Sequence, residues 1–137
     1  MNAFISQSET TVIQLQAMLR CHLYLSELLQ PWFYFAFMEA RSLNNQKQMA
    51  IESETIMEDK LSKLIKKGVA EGAFQLPKAS DKMIRLNASL IKSMLQDWYL
   101  KKGKYQKRRV TVDQYAEALI AMTMNQLQHH NNERISA

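Results

Sequence analysis

Apolar residues recur every three or four positions along most of this chain, the spacing that places them on one face of an α-helix. The pattern predicts four strong helical segments and a short one that is rich in aromatic residues. The segments span about residues 6–30, 31–45, 46–71, 80–102 and 111–128. Only 3 glycines and 2 prolines interrupt the chain, far fewer than sheet-and-turn architectures carry. The predicted fold class is therefore all-α, with about five helices.

Residues that start or stop helices fall at the predicted boundaries. Ser6–Glu9 and Thr111–Gln114 have the spacing of capping boxes, in which side chains satisfy the free amides at a helix start. Pro31 is predicted to end the first helix and open the second, because it lacks an amide hydrogen yet fits a first turn. Gly72 and Gly103 are predicted to end the third and fourth helices.

The predicted helices differ in how much of their surface is apolar. The first has two apolar faces, one containing Leu15 and Leu19 and the other Ile13 and Leu28, which predicts neighbours on more than one side. The second opens with aromatic residues at 32–35 and is expected to be buried nearly all round. The third carries a single apolar stripe and is expected to expose its charged face, which includes Glu58.

Composition places the chain among globular proteins, with 47% hydrophobic and 23% charged residues. Its 1 cysteine, Cys21, cannot form an internal disulfide, which favours a reducing cytoplasm. The first residues lack the basic and apolar regions of a signal peptide. The most apolar stretch, residues 28–38, is much shorter than the roughly 20 residues of a membrane span. We therefore expect a cytoplasmic protein with no membrane contact.

Charge is unevenly distributed along the chain. Residues 1–59 contain 3 basic and 7 acidic residues, whereas residues 60–137 contain the other 15 basic and 6 acidic residues. Six of the 9 residues from Lys101 to Arg109 are basic. This run could meet phosphate, but a solvated loop between two helices is the favoured interpretation. No zinc-knuckle spacing, aromatic single-strand platform or helix-turn-helix pattern accompanies it.

The sequence offers little support for an enzyme. It contains no glycine-rich phosphate loop and no nucleophile motif. Cys21 and His22 are adjacent, so on a helix they point about 100° apart and cannot readily act as nucleophile and base. Too few ligands at helical spacing are available for a metal site. We expect no catalytic activity, no cofactor and no bound metal.

Four segments together resemble the carboxy-terminal domain of the tetracycline-repressor (TetR) family of bacterial regulators. They are PWFYFAFMEAR at 31–41, LIKKGVAEGAFQ at 64–75, ASLIKSMLQDWYLKKGKY at 88–105 and VTVDQYAEALIAM at 110–122. The resemblance covers about residues 8–128 and lies in the order of these segments more than in any single one. It implies an antiparallel bundle and a single ligand-binding and dimerisation domain at 1–128, followed by a polar tail at 129–137.

The resemblance also implies a mechanism. In the family, the last two helices of each subunit pack against their symmetry mates, and a small molecule among the earlier helices tilts the DNA-binding units apart. Those units are helix-turn-helix modules of roughly 50 residues, and nothing in this sequence matches one. The expected partners are therefore a second copy of the chain and a small hydrophobic effector, with an acyl-CoA-like molecule as one option. DNA would be reached only through a helix-turn-helix domain absent from this chain.

The candidate ligand-binding residues are apolar or aromatic positions with a few polar groups to orient a ligand. They are Met18, His22, Leu25, Phe33, Phe37, Met57, Leu61, Asn87, Ile91, Met94 and Trp98. Each could equally be a core residue, and His22 could be a hydrogen-bonded core histidine. Asn87 lies within an apolar stripe, so its amide could bond a ligand or the same residue across a two-fold axis.

The candidate dimer residues lie on the last two long helices, beside or on their main stripes. They are Leu86, Leu90, Ser93, Tyr115, Ala118, Leu119, Ala121 and Met122. The alternative is that these positions pack inside one subunit. A second function also stays open, that of a helical adaptor which binds another protein through an apolar groove and takes no small molecule.

Overall fold

The computed structural model describes the backbone of residues 7–42, 44–76 and 79–127, and the side chains of 9–39, 56–76 and 79–127. All regular structure in the described residues is helical, which confirms the all-α prediction. The helices are α1 (Gln7–Leu28), α2 (Gln30–Ser42), α3 (Asn44–Ala70), α4 (Asp81–Leu100), α5 (Lys102–Lys107) and α6 (Val112–Gln126). Helix α5 corrects the expectation of a loop at 101–109.

Most of the predicted boundaries are confirmed. Ser80 caps α4 by accepting a hydrogen bond from the Met83 amide, and Thr111 and Gln114 form the predicted capping box of α6. Gly103 is an exception, because it lies inside α5 with no left-handed φ, and α4 has already ended at Leu100. Ser6, the first residue of the other predicted capping box, and the predicted tail at 129–137 lie outside the described residues.

The turn after α3 depends on two glycines. Gly72 has φ of 81°, the left-handed conformation that glycine adopts most readily, and it reverses the chain. The amides of Ala73 and Phe74 then donate to the Gly68 carbonyl, which folds the Phe74 ring back onto α3. A Cβ on Gly68 would lie 2.2 Å from that ring, so the ring can pack only where α3 has no side chain.

Hydrogen bonds and ion pairs between helices give their directions. Lys66 near the end of α3 pairs with Asp81 at the start of α4, so these two helices are antiparallel. Tyr115 on the first turn of α6 bonds to the Met94 carbonyl in the last two turns of α4, so α4 and α6 also run antiparallel. Gln30 donates to the Tyr99 carbonyl, which brings the α1–α2 corner to the end of α4. The same end of the domain also contains α5 and the start of α6, and we call it the α5 end.

The core is formed by one face from each of α1, α3, α4 and α6, together with the Phe74 ring. Its most completely buried side chains are Leu15, Leu19, Leu23, Leu61, Ile65, Phe74, Ala88, Leu95, Ala116 and Leu127. The apolar periodicity did not indicate Leu23, Ala88 or Phe74 as core residues. The apolar stripe predicted for the last helix is buried or half-buried throughout; its members are Val112, Tyr115, Ala116, Leu119, Ile120, Thr123 and Leu127.

Two predictions of burial are wrong for the single chain. Ile13, Cys21 and Leu28, on the second apolar face of α1, are exposed, because α2, α3, α4 and α6 cover only the other side. Helix α2 packs on α3 and α4 through one side, which leaves Trp32 and Phe35 exposed. Apolar surface that was expected to be internal therefore lies on the outside of the domain.

Candidate functional site

A long groove runs between α4 and α6 on the outside of the domain. Its volume is about 650 Å³, within the range of small-molecule sites and large enough for side chains of a docked helix. It is lined by Asn87, Leu90, Ile91, Ser93, Met94, Asp97, Tyr105, Tyr115, Ala118, Leu119, Met122, Thr123 and Gln126. We call it the α4–α6 groove.

The predicted dimer residues lie in or beside this groove. Six of them are exposed, namely Leu86, Leu90, Ser93, Ala118, Ala121 and Met122, while Tyr115 is half-buried and Leu119 lies beneath them in the core. Leu90 and Met122 are more than half exposed, at 54% and 59%. Six of the eight predicted residues thus line the groove, whereas Leu86 and Ala121 do not. The exposed apolar residues among those that line it form an apolar strip open to solvent, and a role of the set in dimerisation stays a prediction.

Two polar side chains in the wall of the groove have unmet hydrogen-bonding atoms. Asn87 on α4 is 3% exposed and Thr123 on α6 is 1% exposed. The Asn87 Nδ2 donates to the Met83 carbonyl at 2.9 Å, but its Oδ1 and the Thr123 Oγ1 are buried without a partner. Nearly all buried polar atoms in folded proteins have a partner, so these two oxygens need an explanation.

The other end of the groove is an aromatic cluster at the α5 end. The ring of Trp98 lies 5.3 Å from that of Tyr105 and 5.0 Å from that of Tyr115. Burial raises the pKa of Tyr115, so its hydroxyl stays protonated and donates to the Met94 carbonyl. Trp98 was predicted to contact ligand, but here it packs on the α6 side of α4 with two tyrosines.

Among the described residues that line the groove, Asp97 is the only charged one, and it is already paired. It accepts hydrogen bonds from the Tyr105 hydroxyl and from Lys104 at 3.3 Å, and Lys101 lies 3.4 Å away. Burial alone would raise the pKa of Asp97, but the Tyr105 hydrogen bond and the Lys104 charge outweigh it and hold that pKa below its usual value. The carboxylate therefore stays ionised, and its charge is neutralised from within the chain.

A second cluster joins α1, α2 and α4 on the other side of α4. The His22 ring lies 5.7 Å from Phe33 and 6.5 Å from Tyr99, and the latter two lie 5.4 Å apart. We call this cluster of His22, Phe33 and Tyr99 the His22 corner. Burial lowers the pKa of His22, so its ring is neutral at pH 7. Its Nδ1 is buried without a hydrogen-bond partner. In a neutral imidazole one ring nitrogen donates and the other accepts, so Nδ1 can take either role, depending on which nitrogen carries the proton.

The structure separates the remaining predicted ligand residues. Asn87, Ile91 and Met94 line the α4–α6 groove. Met18, Leu61 and Met57 lie in or against the core. Phe37 is half-buried on α2 and Leu25 is exposed. The predicted set therefore does not form one pocket, and its ligand-binding role stays a prediction.

Sequence reasoning missed an exposed apolar patch at the α1–α2 corner. Its members recur at spacings of three and four along one side of the two helices, and we call Leu25, Leu28, Leu29, Trp32 and Phe35 the α1–α2 patch. A shallower groove of about 600 Å³, lined by Pro31, Tyr34 and Met38 among others, borders it. The aromatic run was the available signal, but it was interpreted as core.

Two absences hold for the part of the chain that the structure describes. None of its helices combines the length and the apolar character that a membrane crossing requires. Among the described side chains, no three His, Cys, Asp or Glu residues lie close enough together to hold a metal ion.

Comparison with known proteins gives one match. A sequence model of the family described as tetracyclin repressor-like, C-terminal domain, matches residues 8–125. Neither the curated proteins nor the solved structures gave a match. The family match covers most of the chain and spans every helix from α1 to α6. This chain belongs to the family of tetracycline-repressor-like C-terminal domains, the helical domains of TetR-type transcriptional regulators.

Proposed function

We propose that this chain is the effector-sensing and dimerisation domain of a bacterial transcriptional regulator of the repressor type, acting in the cytoplasm. Family membership supports a regulatory domain of this general kind. The observation that carries the proposal further is the apolar strip along the α4–α6 groove, which a monomer would leave in water. Contiguous exposed apolar surface of this kind marks interaction sites.

The strip suits a second copy of the chain. A two-fold interface brings each residue near the axis against its own copy, so an exposed charge there would face a like charge. The described residues of the groove are apolar or neutral polar apart from Asp97, whose charge is paired with lysines. The dimer therefore forms through α4 and α6, with Leu86, Leu90, Ala118 and Met122 at its centre.

The effector binds on the other side of α4, at the His22 corner. Aromatic rings from three helices meet there around a neutral imidazole with an unpartnered nitrogen. A ligand with an apolar body and one polar group would satisfy that nitrogen while displacing packed side chains. Because the corner joins α1, α2 and α4, such displacement moves helices relative to one another.

The effector is a small hydrophobic molecule with an anionic end, such as an acyl-CoA. Tyr99 of the His22 corner lies two residues before Lys101, and the basic residues Lys102, Lys104 and Lys107 follow in α5. An acyl chain entering at the His22 corner would thus have lysines at hand for its phosphates.

Thermal unfolding with straight-chain acyl-CoAs tests the effector. We expect acyl-CoA to raise the Tm by an amount that grows with chain length, and free CoA to have no effect, because the apolar chain supplies most of the binding energy. His22→Leu should weaken the binding of acyl-CoA about tenfold, whereas Cys21→Ser, an exposed neighbour on α1, should not. If no acyl-CoA raises the Tm, this class of ligand is excluded, and the proposed dimer is unaffected by that result.

One observation, the exposed α1–α2 patch, favours the alternative function of a helical adaptor that binds another protein. Its five large apolar side chains are exposed and lie away from the α4–α6 groove. An adaptor that uses this patch predicts a ligand-free monomer in a native mass spectrum. The regulatory domain predicts a dimer in the same spectrum, with a small molecule that denaturation removes.

A further inference from the structure

The α1–α2 patch and the basic run at 101–109 lie at the same end of the domain. The Gln30 side chain donates to the Tyr99 carbonyl at 2.9 Å, and the Tyr24 hydroxyl donates to Asp113 in the first turn of α6. These contacts hold the corner between α1 and α2 against the end of α4, from which the basic run continues. An exposed apolar surface and a cluster of positive charge are therefore neighbours.

The side chains of the patch project outward from the domain. Leu28 is 78% exposed and Trp32 is 72% exposed. A residue inside a docking groove is partly covered by the walls of that groove, so exposures this high favour insertion into a soft apolar phase over contact with a folded partner. Trp32 and the half-exposed Tyr34 also combine an apolar ring with a polar tip, which suits the boundary between lipid tails and headgroups.

The basic run contains charge that the chain does not neutralise. Lys101 and Lys104 pair with Asp97. Lys107 and Arg108 are exposed, and no carboxylate among the described side chains forms an ion pair with either of them. These two cations therefore keep their attraction for phosphate groups outside the protein.

The carboxylates of α1 and α2 near the corner lie beside or beyond the patch. Glu27 is separated from Leu25 and Leu28 by about 100° or more around α1, so it faces another direction. Glu39 follows Phe35 by one turn of α2, where the patch ends. The patch thus presents an apolar surface with cations at one side of it.

We infer that this end of the domain binds the surface of an anionic lipid bilayer. The α1–α2 patch enters the boundary between headgroups and tails, and Lys107 and Arg108 contact lipid phosphates. The sequence predicts no membrane contact because it lacks a stretch long enough to span a bilayer, but binding at the surface requires no span. Such binding strengthens with the apolar area inserted and with the negative charge of the lipid. The inference is independent of the proposed dimer and effector, since it uses neither the α4–α6 groove nor the His22 corner.

Vesicles of phosphatidylglycerol and phosphatidylcholine in equal parts test this inference with the full chain. We expect the wild type to co-sediment with them at low salt, to be released at high salt, and not to bind vesicles of phosphatidylcholine alone. Trp32 reports insertion, because Trp98, the other of the 2 tryptophans, is buried. The fluorescence emission should shift to shorter wavelength on binding, and Trp32→Phe should bind without that shift.

Two substitutions in the patch test the apolar contact. Leu28→Ala and Trp32→Ala should each weaken vesicle binding about tenfold, because each removes apolar surface that enters the bilayer. Ile13→Ala is the matched control, since Ile13 is also exposed on α1 but lies three turns before Leu25. It should bind vesicles as the wild type does.

A double substitution tests the charges. Lys107→Gln with Arg108→Gln should also weaken binding about tenfold and reduce its dependence on salt. Lys63→Gln with Lys82→Gln removes the same charge from exposed positions on α3 and at the start of α4, away from the α5 end. This control should change binding little.

Three results would overturn the inference. If the wild type ignores anionic vesicles at low salt, a bilayer does not cover the patch, and a protein partner of the adaptor kind takes its place. If the charge variant releases the protein but the patch variants bind fully and no emission shift occurs, the surface binds phosphate without inserting. If every variant binds like the wild type, the membrane contact lies elsewhere on the domain.

Discussion

At the residue scale, the packing of the Phe74 ring on Gly68 explains why α3 accepts no side chain at position 68. The ring is 1% exposed and lies where the Gly68 Cβ would be. Periodicity places Gly68 on the apolar stripe of the third helix and indicates no other role for it. Nothing in the periodicity shows that a residue six positions later folds back onto this spot.

Gly68→Ala is expected to destabilise the domain by about 1–3 kcal/mol, because the new methyl group forces the Phe74 ring out of its packed position. Urea unfolding measures the change. Gly103→Ala is the control, since a Cβ there meets nothing within 4 Å and alanine favours helix α5. Equal stability of the Gly68→Ala variant and wild type would show that the ring moves at no cost.

At the element scale, α3 and α4 are joined by an ion pair that the helix pattern did not predict. Glu58 was assigned to the wet face of α3, yet Lys92 of α4 is 8% exposed and donates to it at 2.9 Å. Burial alone would raise the pKa of Glu58, but the hydrogen bond and charge of Lys92 outweigh it and hold that pKa below its usual value. Arg85 adds a longer contact of 3.7 Å to the same carboxylate.

Lys92→Met is expected to cost about 1.5–3 kcal/mol at pH 7, the usual loss for a hydrogen bond to a charged group. Because the pKa of Glu58 is lowered in the folded state, the ion pair contributes its full stabilisation above the unfolded pKa of 4.5. That stabilisation is lost as the pH falls through the folded pKa of Glu58. Urea unfolding of wild type and variant should therefore converge in acid.

Lys66→Met controls for the charge change between the same two helices. Its partner Asp81 is 3.5 Å away, but both side chains are mostly exposed, so the loss should be under about 1 kcal/mol. A loss for Lys92→Met that is no larger than this, or one that does not decline at all as the pH falls below 4.5, would contradict the assignment of the buried pair.

The same scale shows how much of the fold could be predicted. The stripes of α4 and α6 and the caps at Ser80 and Thr111 were predictable, because period and capping are local properties. The exposure of α2 was not predictable, since an apolar face looks the same whether it meets the core of its own chain or another molecule. For that reason Trp32 and Phe35 were interpreted as core. In the same way, the stripe that contains Trp98 does not show that its ring meets Tyr105 and Tyr115.

At the scale of the whole molecule, the α4–α6 strip and the α1–α2 patch are two apolar surfaces on different faces of a small domain. We assign the first to a second copy of the chain, and we assign the effector to the His22 corner, on another face of α4. Helix α4 then contacts both, since Asn87 and Met94 line the groove and Tyr99 forms the His22 corner. A displacement of α4 by ligand would reach the dimer directly.

Sedimentation velocity on the wild type and two matched variants tests this central claim most directly. Met122 on the strip and Trp32 on the patch are 59% and 72% exposed, so a glutamate at either position disturbs the isolated fold little. We predict that wild type and Trp32→Glu sediment at twice 16.0 kDa, and that Met122→Glu sediments as a monomer. A monomeric wild type, or a dimer that Trp32→Glu disperses and Met122→Glu does not, would contradict the account.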